Sequence, residues 1–183
     1  VGGFAIFLKM KTKKRFIWDK YAKIEIVFFL FIWLIVPLIS DLEYFIKEAA
    51  WESTFSAWLQ SMHDWCRLIG LNSARVHEKE HPKEQLSHYS KRTVDLVYDF
   101  PFGRSELYGL AYRTDFDLKQ HAQFSGHPIE YTDPETREKF IPHVIEPTFG
   151  VDRTILAILA SAYTEDESGD EVRTYLKFTP AVA

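Results

Sequence analysis

A single cysteine, Cys66, stands among 183 residues. That count excludes an internal disulfide and a metal site built on several thiolates, and it leads us to expect a reducing, cytoplasmic compartment. Glycine is sparse, at eight residues, and none forms a phosphate-binding loop or a dinucleotide fingerprint. Basic residues (22) do not outnumber acidic ones (26), and the net charge is -4. A chain whose main task was coating nucleic acid would be basic, so any RNA contact must be local. Long apolar runs are missing as well. Ile26 to Val36 is about 11 residues, or about 14 through Ile39, where a membrane-spanning helix needs about 20. The basic run of Lys9, Lys11, Lys13, Lys14 and Arg15 ahead of it has the look of a signal anchor. Asp19, Lys20, Lys23 and Glu25 separate the two parts, however. We therefore expect a buried strand over Ile24 to Leu34 that continues into an apolar insertion, with no membrane partner; an anchor over Ile24 to Ile39 is the weaker alternative.

What is present is ordinary globular patterning. Leu42, Phe45, Ile46, Ala49, Ala50, Phe55, Trp58, Leu59, Met62, Trp65 and Leu68 recur at three and four residues. This predicts an amphipathic helix or helix pair over 41–71 with Gly70 as its C-cap. Ser73 to Ser87 is polar and reads as a surface loop. From Thr93 the period falls to two, predicting a strand through Phe100, a turn at Pro101 and Gly103, and a second strand over Ser105 to Tyr112. A short helix is expected from Asp115 to Gln120, a hairpin or excursion over Phe124 to Glu138, and a strand over Phe140 to Ile145 ending at Pro147. Gly150 should open a helix through Tyr163, followed by an acidic loop (Glu165 to Glu171) and a last strand (Val172 to Phe178). Strands with long excursions and then a helix indicate an α+β fold with an antiparallel sheet flanked by helices.

Two segments carry residues suited to chemistry. In Val144-Ile145-Glu146-Pro147-Thr148-Phe149-Gly150-Val151-Asp152-Arg153 a strand ends in a carboxylate, a Gly turn follows, and an Arg sits in the first turn of a helix. Arg153 offers a fixed planar cation suited to phosphate or to stacking on a base, and Gly150 would allow close approach of backbone and ligand. The plainer reading is a capped helix with a surface Arg. In Ser105 to Leu118, strict alternation puts Glu106, Tyr108 and Tyr112 on one strand face, with Arg113, Asp115 and Asp117 at its exit. A carboxylate facing a pocket could hold Mg²⁺, which takes oxygen ligands and keeps its phosphate partners. A solvated face with a charged exit is the plainer alternative.

Longer runs make a resemblance specific. His88-Tyr89-Ser90-Lys91-Arg92-Thr93-Val94-Asp95, Phe100-Pro101-Phe102-Gly103, Glu106-Leu107, Arg113 through His121, Tyr131, Asp133-Pro134-Glu135-Thr136, Ile141-Pro142 and Val144 through Arg153 occur in one order and spacing. Together, over roughly residues 60–183, they resemble the glycyl-tRNA synthetases of the α2 dimeric type, in the C-terminal part of their catalytic domain. The resemblance implies a class II synthetase-like fold and a glycine–tRNA ligase activity. Such an enzyme makes glycyl-adenylate from glycine and ATP with Mg²⁺ and then transfers glycine to tRNA(Gly), as a homodimer. It implies ATP binding by Glu106, Leu107, Gly150, Val151, Asp152 and Arg153, with Arg153 as the motif 3 arginine, Glu106 on the metal-bearing strand, and Arg153 and Glu106 as the catalytic pair. It implies glycine binding by Glu25, Arg113, Glu146, Pro147, Thr148, Phe149 and Gly150. Residues 1–173 would be a partial catalytic core and 174–183 the start of a linker to an anticodon-binding domain.

The chain also departs from that pattern. The family has Ser where Thr148 stands, and an added methyl would crowd a glycine pocket. Val1 to Phe29 can be laid over the family's motif 2, matching it at Gly2, Phe16, Glu25, Ile26 and Phe29. Ile6, Leu8 and Ile17 then fall on charged family positions, and an aliphatic residue cannot make a charge-assisted phosphate contact. By the resemblance, motif 1 and the anticodon-binding domain are expected to lie outside these 183 residues. These departures predict a fragment inactive on its own, with a non-catalytic binding module or decayed paralogue as the alternative. Among the remaining residues, His77, His81, His88, His121 and His127 have no metal spacing and read as surface or locally hydrogen-bonded groups. Trp51, Trp58 and Trp65, seven apart, read as a helix core stripe. Asp95 and Asp99 read as a solvated pair on one strand face, and Cys66 has no visible activating base.

Overall fold

The computed structural model describes residues 39–168 and 171–183. The predicted strand from Ile24, the apolar run from Ile26, the motif 2 overlay and the Glu25 assignment lie outside the described residues. In chain order the elements are β1 (Ile39–Asp41), β2 (Tyr44–Ile46), α1 (Trp51–Leu68), β3 (Val76–Glu80), β4 (Arg92–Phe100), β5 (Gly103–Thr114), α2 (Phe116–Ser125), β6 (Tyr131–Thr132), β7 (Lys139–Phe140), β8 (His143–Gly150), α3 (Val151–Ala162), β9 (Tyr163–Ser168) and β10 (Glu171–Leu176). Six strands form one antiparallel sheet in the order β1-β8-β5-β4-β3, with β2 also paired to β8. β6 with β7, and β9 with β10, make two separate hairpins. The α+β expectation with an antiparallel sheet holds.

α1 and α3 cover one face of this sheet. Phe55, Met62 and Cys66 of α1 are buried in one cluster with Leu96, Tyr98, Tyr108, Leu110, Tyr112, Ile145 and Ala157. Burying each of the larger side chains contributes about 1.5–3 kcal/mol. The three Trp residues border this stripe rather than form it. Trp51 stacks on Tyr112 at 4.5 Å, Trp58 packs against the cluster's edge, and Trp65 is exposed with its indole N–H donated to the Tyr108 hydroxyl. α1 ends as its sequence predicts. Gly70 has φ +81, its N–H bonds to the Arg67 carbonyl, and the Leu71 N–H reaches back to Cys66, which is a Schellman cap. A Cβ on Gly70 would also lie 2.4 Å from Thr179 Cγ2, so the returning C-terminal segment needs glycine here as well.

Four expectations are corrected. Residues 39–41 and 44–46 are two short strands, not the start of a helix: Tyr44, Phe45 and Ile46 pair with Ile145, Val144 and His143. Val76 to Glu80 is an edge strand, not a loop. Glu165 to Glu171 falls largely within the β9–β10 hairpin, where Arg173 pairs with Asp166. β8 does not stop at Pro147 but runs through it to Gly150. Leu42 donates to the Pro147 carbonyl at 3.0 Å, so the two stand as a hydrogen-bonded pair whose return bond would need the N–H that proline lacks. The neighbouring edge is interrupted at that point, between β1 and β2, which is how the strand tolerates the residue.

Candidate functional site

The sheet face opposite α1 and α3 is polar. β5 runs down its middle with two small residues, Gly109 and Ala111. Asp95 and Thr93 of β4 stand opposite them on one side, and Thr148 and Glu146 of β8 on the other. The result is a trough floored by small side chains and walled by polar ones. β-Alternation assigns Tyr108, Leu110 and Tyr112 to the helix-covered face, where all three are buried.

Glu106 reaches the trough only because of a bulge. Leu96 pairs with Tyr108 but Val97 pairs with Glu106, leaving Leu107 as the extra residue. The expectation that Glu106 shares a face with Tyr108 and Tyr112 is thereby overturned, since the inserted residue reverses the parity. Glu106 Oε1 now lies 3.8 Å from where a Cβ of Gly109 would be.

Arg153, in the first turn of α3, donates from Nη1 to the Glu106 carbonyl at 2.5 Å, and the same nitrogen lies 3.9 Å from Glu106 Oε2. Its side chain is 51% exposed, leaving the guanidinium open to an anionic ligand. The start of α3 is held by a chain of hydrogen bonds. Trp65 donates to the Tyr108 hydroxyl, that hydroxyl lies 2.9 Å from Thr154 Oγ1, and Thr154 donates to the Gly150 carbonyl. Burial pushes the Tyr108 hydroxyl above its ordinary pKa, so it stays protonated. Gly150 has φ -83, and a Cβ there would make only ordinary contacts at 3.6 Å or more. Neither torsion nor space therefore demands glycine within the chain itself.

A second charged group lies further along the trough. Arg113 Nη1 donates to both oxygens of Glu146, at 2.8 and 2.6 Å, while its Nε donates to Asp117 at 2.8 Å. The guanidinium also lies 4.3 Å from the Tyr89 ring centroid, in cation–π range. Burial alone would lower the Arg113 pKa, but the two carboxylates outweigh it and raise the value, so the group is a permanent cation. Within the predicted glycine-binding stretch only Glu146 and Thr148 face the trough. Pro147 is buried and Phe149 packs edge-on against Tyr108, on the helix-covered side. Leu107 is buried, Val151 half-buried and Asp152 exposed.

No group of three His, Cys, Asp or Glu side chains with metal-site geometry occurs among the described residues. Mg²⁺ needs no such cage, since it usually takes one or two carboxylates and fills its shell with phosphate and water. Glu106, half exposed beside Arg153, fits that limited role. Of the histidines expected to be surface or locally hydrogen-bonded groups, His77 and His81 are hydrogen-bonded. His77 pairs with Asp99 at 2.8 Å and His81 with Asp95 at 2.6 Å. Asp95 and Asp99 are accordingly not a solvated pair: Asp95 is 9% exposed, and each aspartate has a histidine partner. On the helix-covered side, a cavity of about 480 Å³ lined by Leu42, Trp58, Met62, Trp65, Phe149 and Ile155 is almost wholly apolar. It offers nothing to a charged nucleotide or amino acid. Cys66 is buried, and burial pushes its thiol up to about 11, which keeps it inert.

These features define an α+β sheet domain whose open face pairs fixed arginines with carboxylates, an arrangement suited to small zwitterionic or phosphorylated ligands. No family model matches the chain. Glycine–tRNA ligases do match: that of Caldanaerobacter subterraneus subsp. tengcongensis is 48% identical over 143 residues, that of Geobacillus thermodenitrificans 44% over 144, and that of Staphylococcus aureus 45% over 148. Each match covers 78% of this chain and 31% of the relative. The chain therefore spans about a third of the length of the curated relatives it matches, and over that part the resemblance to glycyl-tRNA synthetases holds. No helix among the described residues is long and apolar enough to cross a membrane.

Proposed function

We propose that this chain carries part of the active centre of a glycine–tRNA ligase, an ATP-dependent enzyme with a class II synthetase-like fold. In this reading Arg153 and Glu106 meet the nucleotide and Glu146, Arg113 and Thr148 meet glycine. The observation that carries it is the meeting of Arg153 and Glu106 at one end of a polar trough whose middle is walled by Glu146 and Thr148. In the reaction a glycine carboxylate oxygen attacks the α-phosphorus of ATP and pyrophosphate leaves. The tRNA 3′-terminal hydroxyl then attacks the activated carbonyl and AMP leaves. The first step needs alignment and charge neutralisation rather than a proton acceptor, because the attacking carboxylate is already ionised. Arg153 offers a fixed cation to the phosphates, and the hydrogen-bond chain from Trp65 to Gly150 fixes where its helix begins. Glu106 would hold a Mg²⁺ ion, which would further neutralise phosphate charge. Glycine, tRNA(Gly), a homodimeric assembly and a cytoplasmic setting belong to the same proposal.

Thr148 narrows the trough by one methyl relative to the Ser of the family, which favours the smallest amino acid while crowding it. Ile6, Leu8 and Ile17, on the motif 2 overlay, favour a second reading in which the chain is a binding module without catalysis. We expect weak ATP binding and no glycylation by this chain alone. Isothermal titration of ATP–Mg²⁺ into the 183-residue chain, with Arg153→Ala as control, decides between the two. Binding that weakens at least about tenfold in the variant supports the ligase reading, since a charge-assisted contact is worth that much. A folded wild-type chain that binds no ATP overturns it and leaves the binding-module reading.

A further inference from the structure

We infer that Asp95, steadied by His81, is a further substrate-recognising residue of this trough, and that its free carboxylate oxygen receives the ammonium group of the amino acid. This rests on the ligase reading above. Three observations carry it.

The first is placement. Asp95 is 9% exposed and stands opposite Gly109 on the open face of the sheet. Its Oδ2 is engaged by His81 Nε2 at 2.6 Å. Its Oδ1 has no hydrogen-bond partner among the described residues and lies 3.9 Å from the position a Cβ of Gly109 would take. An accessible carboxylate oxygen on an otherwise well-buried side chain, with no protein donor of its own, is free to accept from a ligand.

The second is the space itself. Around that same point, Glu106 Oε1 lies at 3.8 Å and Thr148 Cβ at 3.9 Å. Glycine at 109 leaves to a ligand a small volume that two carboxylate oxygens and a methyl-bearing carbon already surround. A primary ammonium is the cation that matches it in size, charge and donor count.

The third is the balance of charge. Glu146, the carboxylate that the resemblance assigns to the ammonium, already accepts from Arg113 through both oxygens. Glu106 has the Arg153 guanidinium 3.9 Å away. Lys79, across from Asp95 on β3, makes no ion pair with it among the described residues. Asp95 is thus the trough carboxylate with no guanidinium beside it. A partly desolvated negative charge there attracts an incoming cation more strongly than one already paired. His81 acts as a positioning residue: it fixes the carboxylate plane and leaves the other oxygen facing the trough.

The test uses two non-hydrolysable adenylate mimics with a sulfamate in place of the phosphate. One carries a glycyl group and the other an acetyl group, so they differ only by the amino group. Both are titrated calorimetrically into the wild-type chain, Asp95→Asn and His81→Gln, with thermal midpoints recorded to confirm folding. We expect Asp95→Asn to weaken the glycyl compound by at least about tenfold and the acetyl compound by less than about twofold, the selectivity of a lost charge-assisted contact. His81→Gln should show the same selectivity with a smaller factor, and it keeps the test open if Asp95→Asn does not fold. Equal losses on both compounds, or none on either, in a chain whose wild type binds both, would overturn the inference and leave the ligase reading standing. A folded wild type that binds neither compound would remove the ligase reading, and this inference with it.

Discussion

The two faces of the central sheet are built from alternate residues of the same strands, yet they do opposite work. On one face Tyr108, Leu110, Tyr112 and Leu96 disappear beneath α1 and α3, and their burial is what holds the domain together. On the other, Gly109 and Ala111 give up side-chain volume so that Asp95, Glu146, Thr148 and, through a bulge, Glu106 can border a trough. Folding energy is concentrated on the first face, and the proposed recognition on the second. Substitutions on the two faces should therefore differ in kind as well as in size.

The largest expected effect lies on the covered face. Phe55 is fully buried, with the Arg92 guanidinium 4.6 Å from its ring centroid. Phe55→Ala should cost about 3–5 kcal/mol, because truncation loses transfer energy and leaves a cavity. Urea denaturation of the purified chain measures it. A loss below about 1 kcal/mol, typical of a partly exposed position, would mean that α1 does not anchor the sheet and would break the contrast between the faces.

How far this was legible from sequence depends on which physics fixed each element. β4, β5, α1 and α3 follow from apolar periodicity, because that pattern is local, although Ile155, Leu156 and Leu159 of α3 stay exposed. The Gly70 cap was legible for the same reason. β3 was not: Val76-His77-Glu78-Lys79-Glu80 lies at the sheet edge, is largely exposed, and carries no alternation to read. Pro147 suggested a strand end, and only the break between β1 and β2 explains why the strand continues. The geometry of the candidate site was half legible. The runs around Glu106, Glu146 and Arg153 pointed to it, but the parity of Glu106 depends on an extra residue that no local pattern announces. The Arg113–Glu146 and His81–Asp95 pairs depend on strand register between segments 33 and 14 residues apart, which one sequence does not contain.

A middle-sized effect belongs to the trough. Arg113 bridges Glu146 and Asp117, and both the guanidinium and Glu146 are mostly shielded from water. Arg113→Met keeps the length of the stem but leaves a partly buried carboxylate unpaired. Stability should fall by about 1–3 kcal/mol on the same denaturation assay. Arg113→Lys should recover only part of this, since an ammonium cannot reproduce the planar fork that joins two carboxylates. A loss under about 0.5 kcal/mol for Arg113→Met, the size of an ordinary surface substitution, would show that the trio is not pre-built and assembles only around a ligand.

The smallest effect sits at the solvent edge, where Asp99 meets Arg104 and His77. Hydrogen bonds from Arg104 first and then His77 hold the Asp99 carboxyl well below its ordinary value. A carboxylate depressed in the folded state contributes stability that is fully present above its unfolded pKa, near about 4, and is lost as pH falls through the folded value. The difference in thermal midpoint between wild type and Asp99→Asn should accordingly be present at neutral pH and shrink as pH falls below about 4. Because the pair is open to water, added salt should reduce the difference at neutral pH, as it does for other exposed ion pairs. A difference that grows as pH falls below about 4 would mean that Asp99 is better placed when neutral. The edge would then behave like the shielded trough rather than like solvated surface.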